Sequence, residues 1–248
     1  MLHWISIVLF VFVVSAFLAG ILIPKILLVA FRKKLFDVPD ERKIHTCAVP
    51  RLGGIAFKPV IFISIALTLG ISLSLGHTEI IEVLERNAKT LAYSYCAIMM
   101  LYLVGMADDL IGVKYRAKFV IQIICSLLLI AGGLWIDNFH GLFGIYELPK
   151  WIGYPFTVLV VVFIINAINL IDGIDGLASG LSSVALLSYG YSFFLSQQYG
   201  FAIFAIATFG VLVPFFYYNV FGNAEKGRKI FMGDTGSLTI GIIICILA

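Results

Sequence analysis

Two short segments hold most of the side chains that could do chemistry. The first reads Asn166-Ala-Ile-Asn169-Leu-Ile-Asp172-Gly173-Ile-Asp175-Gly176-Leu177-Ala178. Asn166, Asn169 and Asp172 recur at every third position, so a helix would present them as one polar stripe. Asp172 and Asp175 share a side if the segment stays helical. Gly173 and Gly176 allow tight turning and close approach of a ligand to backbone. The second segment reads Phe231-Met232-Gly233-Asp234-Thr235-Gly236-Ser237-Leu238. Here Asp234 precedes an apolar run, where free amides at a helix start, with the Thr235 and Ser237 hydroxyls, are suited to phosphate. A carboxylate there suits magnesium, which takes one or two carboxylates plus phosphate oxygens. Each segment alone could be no more than a helix cap, but four amide or carboxylate groups at one spacing exceed what a cap needs.

Two further groups extend the set. In Gly105-Met-Ala-Asp108-Asp109 the neighbouring acids point about 100° apart on a helix, so one can face a site while the other is held elsewhere. Crowded carboxylates raise one another's pKa, which makes a usable base. The stretch from Phe36 to Gly54 offers Arg42, Lys43 and Arg51, cations fit for phosphates, and one histidine, His45. Together these residues predict metal-assisted phosphate chemistry.

The elements that must position them are membrane helices. Of 248 residues, 61% are hydrophobic and 12% charged, with a net charge of +3; a soluble domain is nearer half apolar and a quarter charged. The apolar runs are continuous, which points to helices and not barrel strands. So small a net charge points to no nucleic-acid partner. Runs long enough to cross a bilayer fall at about 4–30, 54–76, 89–107, 118–136, 152–171, 178–197 and 200–221. An eighth begins near 237 and is shorter than a span at Ala248, so the sequence reads as truncated inside a helix. The prediction is therefore an all-α, polytopic transmembrane helical bundle of one domain over residues 1–248, with seven complete spans plus the start of an eighth.

Charge sets the expected orientation. Segments 31–53, 105–118 and 222–236 hold most of the Lys and Arg, including Lys114, Arg116 and Lys118. The opposite loops hold little beyond Arg86 and Lys150, with Lys89 at a helix edge. The positive-inside rule places the first group in the cytoplasm and the N-terminus outside. Asp108, Asp109, Asp172, Asp175 and Asp234 then share the inner face, where acids beside apolar helix are costly to keep. His3, His77 and His140 fall on the outer face with no role assigned. Cys47, Cys96, Cys125 and Cys245 show no paired spacing and read as small buried hydrophobes.

These motifs resemble those of the polyprenyl-phosphate N-acetylhexosamine-1-phosphate transferases, the superfamily that includes phospho-N-acetylmuramoyl-pentapeptide transferase. The resemblance runs from about Asp37 to Leu238. Asp37-Val-Pro39, Arg42-Lys43-x-His45 and Pro50-Arg51-x-Gly53-Gly54 look like the branch that starts O-antigen, enterobacterial common antigen and teichoic-acid linkage synthesis. The resemblance implies a UDP-N-acetylhexosamine donor, N-acetylglucosamine the leading sugar, with undecaprenyl phosphate as acceptor and UMP as product. It implies Mg2+, with Mn2+ as a substitute, a bacterial inner-membrane location with the site on the cytoplasmic face, and a homodimer. By the same resemblance Asp234 is the metal ligand and Asp108, with Asp109 beside it, the catalytic aspartate acting on the lipid phosphate. Asn169, Asp172 and Asp175, with Asn166, lie near the nucleotide; Phe231 stacks on uracil and Asn219 lies close by. The family also carries a histidine- and arginine-rich inner loop beyond the residues present here.

Three other readings compete. A transporter would explain intramembrane polar groups, but the acids cluster at one face and the mid-span runs are apolar. A CDP-alcohol phosphatidyltransferase needs an Ala-Arg pair after Asp-Gly, and Leu177-Ala178-Ser179-Gly180 follows here. A catalytically inactive relative acting as scaffold is opposed by the intact acids.

Overall fold

The computed structural model of the chain describes residues 2–33, 49–224 and 226–248. Among them nine α-helices follow in order: α1 (Leu2–Lys33), α2 (Phe57–Ser74), α3 (Glu79–Arg86), α4 (Ala88–Ile111), α5 (Tyr115–Gly132), α6 (Lys150–Ile171), α7 (Leu177–Leu195), α8 (Tyr199–Val220) and α9 (Gly233–Leu247). The all-helical expectation holds. Six of these helices are long and apolar enough to cross a membrane: α1, α2 with the short turn before it, α4, α5, α6 and α8. The predicted span at 178–197 coincides with α7, whose 19 residues include five serines and two glycines. Those residues dilute its hydropathy, and α7 is not among the six. Two features had no counterpart in the apolar pattern. Residues 79–86 form the short amphipathic α3, and the loop between α5 and α6 folds back on itself through an Asn138–Glu147 bridge.

The arrangement is centred on α9. All but two of its 15 residues are buried, the exceptions being Asp234 and Cys245. It packs on α4 and α6 and on the Gly53–Ala56 turn. A bilayer gives helices no hydrophobic reason to associate, so close backbone contact across small residues must do it. A Cβ on Gly54 would lie 2.1 Å from Gly236 N, and one on Gly105 would lie 2.6 Å from Thr235 Cα. The bare backbones of the Gly53–Ala56 turn and of α4 therefore both rest on the start of α9. This close packing brings the ends of α4 and α6 to the first turn of α9, and with them Asp108, Asp109, Asn169, Asp172 and Asp234.

Candidate active site

Each acid reaches the site because its helix stops there. Helix α4 ends at Ile111, and Gly112 after it takes a positive φ of +74°; its N–H donates to the Asp108 carbonyl, 2.9 Å away. The next amide, Val113 N–H, donates to the Asp108 side chain. Helix α6 ends at Ile171, and residues 172–176 form turns. Helix α9 starts at Gly233, with φ of +74° and a Cα so close to Arg51 O that a Cβ would lie 2.0 Å from it. The segment before it pairs with the residues ahead of α2: Phe231 N–H donates to Pro50 O, Gly53 N–H to Phe231 O and Gly54 N–H to Met232 O, at 2.8–3.0 Å. Two stretches about 180 residues apart are thus zipped together at the site.

The centre of the site is a lysine between two aspartates. Lys118 Nζ, in the first turn of α5, lies 2.9 Å from Asp108 Oδ2 and 2.6 Å from Asp234 Oδ2. The other Asp234 oxygen accepts from Asn169 Nδ2 at 2.8 Å, and the same amide donates to Ser237 Oγ at 2.8 Å. All three charged side chains are part-buried, 16–23% exposed, so solvent screens the ion pairs less than at an open surface.

The start of α9 differs from the expectation. Its free amides were predicted to hold phosphate, but carboxylates occupy them. Asp109 accepts from Asp234 N–H and Thr235 N–H, each at 2.8 Å, and from Thr235 Oγ1 at 2.5 Å. Gly233 N–H donates to Asp172 Oδ2 at 3.2 Å. The first-turn donors that α9 cannot satisfy internally are met by side chains from α4 and from the end of α6. Both Asp109 oxygens are engaged by this work. Burial is the largest influence on Asp172 and pushes its carboxyl up to about 7; nearby Asp109 and Asp234 add to the rise, and the Gly233 amide and Arg51 charge oppose it.

The polar stripe of the first motif divides among three jobs. Asn169 enters the site. Asn166, one turn further into α6, exchanges amide bonds with Gln122 of α5, donating to Gln122 Oε1 at 2.7 Å. Asp172 and Asp175 were expected to share a helix face, but the helix has ended, and Asp175 turns outward to an ion pair with Lys229. Lys229 Nζ also lies 5.8 Å from the centre of the Phe231 ring. Asn219 is buried and braces two loops: its Oδ1 accepts from Gly176 N–H at 2.7 Å and its Nδ2 donates to Ile230 O at 3.0 Å. Arg51 is exposed beside these groups. Arg42, Lys43 and His45 lie outside the described residues. The sequence reading missed Lys118 and Lys229 as site residues, because both looked like ordinary members of a basic loop. The only available signal for Lys118 was its position at the start of a span, nine residues after Asp109.

At the end of an apolar bundle, carboxylate oxygens of Asp108 and Asp234 are thus gathered about one cation, Lys118. Residues 91–248 match the family described as Glycosyl transferase family 4. The chain belongs to that family. Among curated relatives, it is 34% identical over 239 residues to a probable undecaprenyl-phosphate N-acetylglucosaminyl 1-phosphate transferase of Bacillus subtilis (strain 168), covering 96% of this chain and 61% of the relative. It is 31% identical over 219 residues to the undecaprenyl-phosphate alpha-N-acetylglucosaminyl 1-phosphate transferase of Salmonella typhi, covering 87% and 55%. The Escherichia coli (strain K12) protein of the same name is 29% identical over 219 residues, covering 87% and 55%. The chain thus spans somewhat more than half the length of these relatives. The family membership expected from the motifs is borne out, and the relatives are named as undecaprenyl-phosphate N-acetylglucosaminyl 1-phosphate transferases.

Proposed function

We propose that this protein transfers N-acetylglucosamine 1-phosphate from UDP-N-acetylglucosamine to undecaprenyl phosphate and releases UMP, the first step in building a cell-surface glycan. The observation that carries the reading is the Lys118 ammonium between Asp108 and Asp234, with Asn169 fixing Asp234 from behind. The names of the relatives support the sugar and the acceptor. In this reading α7 is a seventh span, the N-terminus is outside, and the site opens on the cytoplasmic face of the bacterial inner membrane. The basic residues at the acid end of the bundle support that orientation.

In the reaction a phosphate oxygen of the lipid attacks the sugar-bearing phosphorus. The bond from that phosphorus to the bridging oxygen breaks, and its electron pair leaves with UMP. Asp108 orients the attacking phosphate and accepts any proton it still carries. An ammonium has three donors; those on Lys118 meet Asp108 and Asp234, and with a metal on those carboxylates they would be released to phosphate oxygens. In the metal-free protein burial holds the Asp172 carboxyl up at about 7; a cation bound beside it would draw it down again. Asp109 acts through Asp234, holding the turn that carries it.

The donor set also fits magnesium. Asp234 and Asp108 offer carboxylate oxygens already gathered about one positive charge, and hard oxygen ligands suit Mg2+, with Mn2+ as a substitute. Bound there, the ion would offset charge on the pyrophosphate oxygens. The test is UMP release by membranes holding the protein, given undecaprenyl phosphate, Mg2+ and a panel of UDP-N-acetylhexosamines. Release from UDP-N-acetylglucosamine alone, requiring lipid and metal, is the expected outcome. No release from any donor, with the protein folded and inserted, would overturn the proposal.

A further inference from the structure

At the end of the bundle opposite the acids, three metal-ligating side chains meet. His3 lies in the first turn of α1, His77 in the turn after α2, and Glu79 at the start of α3. Each brings one donor atom to within 4.8 Å of the others. The two imidazole rings lie one against the other, 3.6 Å apart between centroids and tilted by 31°; ligands of one zinc at about 2.0 Å stand wider than this, so the rings part on binding. His3 Nε2 is buried and has no hydrogen-bond partner. Buried polar atoms without partners are costly and rare in folded proteins, so this nitrogen calls for a ligand.

The backbone under these groups is anchored. Trp4 stacks on Tyr199 of α8, with centroids 4.2 Å apart and an 8° tilt, which fixes the start of α1. His77 N–H donates to Ser72 O at 3.0 Å, and Gly76 makes the turn with a left-handed φ of +87°. His3 and His77 are therefore brought together by elements packed for other reasons, which lowers the ordering cost of binding.

We propose that His3, His77 and Glu79 form a binding site for a divalent transition metal of the zinc class. Two neutral imidazole nitrogens and one carboxylate oxygen are a zinc donor set, with a fourth position for water. Imidazole nitrogen selects against magnesium, which prefers carboxylate, carbonyl and water oxygens. The ion would join the start of α1 to the α2–α3 turn, a clip remote from the transferase chemistry.

The test uses the intact protein in detergent, stripped with chelator and then given ZnCl2 in excess Mg2+. It is run with His45→Ala and Cys47→Ser present, so that these two ligand-type side chains do not contribute. After gel filtration about one zinc per chain is expected, and His3→Ala or His77→Ala should retain less than about a tenth of that. Equal retention in both variants, or none in the parent, would overturn the proposal. His77→Ala also alters the packing of the turn, so Co2+ is read in the parent as a second measurement. Visible bands of four-coordinate Co2+ are expected; the weak spectrum of hydrated Co2+ would overturn it.

Discussion

Asp109→Asn separates the two adjacent aspartates, because the structure gives them different work. Asp109 accepts three hydrogen bonds from the first turn of α9, and no side chain from the residue before α9 caps it. Asparagine keeps one acceptor oxygen and turns an NH2 group toward the remaining donors. Each bond to a charged group contributes about 1.5–3 kcal/mol, and a charge at a helix start about 0.3–1 kcal/mol more. Easing the repulsion between Asp109 and Asp172 offsets part of that. The net cost is about 3 kcal/mol, equivalent to about 6–12 °C for a chain of this size. Asp108→Asn keeps a carbonyl for Val113 N–H and loses one part-exposed ion pair, worth about 1 kcal/mol or less. Thermal unfolding in detergent, at one scan rate and without substrate, checks both. The expected result is a large drop for Asp109→Asn and a small one for Asp108→Asn, with UMP release lost in both. Equal unfolding temperatures for the two variants would refute the assignment of Asp109 to the α9 turn.

Three further perturbations follow from the same geometry. Lys118→Met should lower turnover by about 10²–10³, the usual loss for one charge-stabilising donor, while the half-saturating Mg2+ concentration falls because no ammonium competes for Asp108 and Asp234; turnover near the parent rate would contradict this. Asp172→Asn should stabilise the metal-free protein at high pH. With the folded pKa about 7 against about 3.9 unfolded, the parent loses stability as pH rises from about 4 to 7, so the variant's advantage grows over that window to at most about 4 kcal/mol; unfolding temperatures measured across pH in EDTA check it, and an advantage at pH 4 but not at pH 8 would contradict it. Gly54→Ala should give little folded protein, since its Cβ would lie 2.1 Å from Gly236 N, whereas Gly20→Ala, with nothing within 4 Å, should be tolerated; retained monodisperse protein after purification is the readout.

Much of the site was legible because its chemistry is written in local runs. Asn169, Asp172 and Asp234 announce themselves by residue type, glycine neighbours and position at the ends of apolar runs. The helical architecture was legible for the same reason, since continuous apolar runs leave few alternatives. What could not be read was pairing across the chain. Asp109 and Thr235 are 126 positions apart, Asp175 and Lys229 54 apart, and nothing local to either partner marks the contact. Asn166 was grouped with Asn169 by spacing, but its partner Gln122 sits on another helix. Lys118 was hidden by its surroundings, because membrane loops are basic for reasons of topology and one site lysine looks like its neighbours. The amides of α9 were assigned to phosphate because a helix start favours anions; the anions that fill the role are the protein's own Asp109 and Asp172.

The most direct test of the account is UMP release as Mg2+ is titrated into membranes holding the parent protein or Asp234→Asn. The prediction is lipid-dependent release that rises with Mg2+ in the parent. Asp234→Asn should remain inserted in the membrane at parental levels and lose activity by about 10³ or more at every Mg2+ concentration. An Asp234→Asn protein that still turns over and still responds to Mg2+ would contradict the central claim that Asp234 gathers the metal and the reacting phosphates.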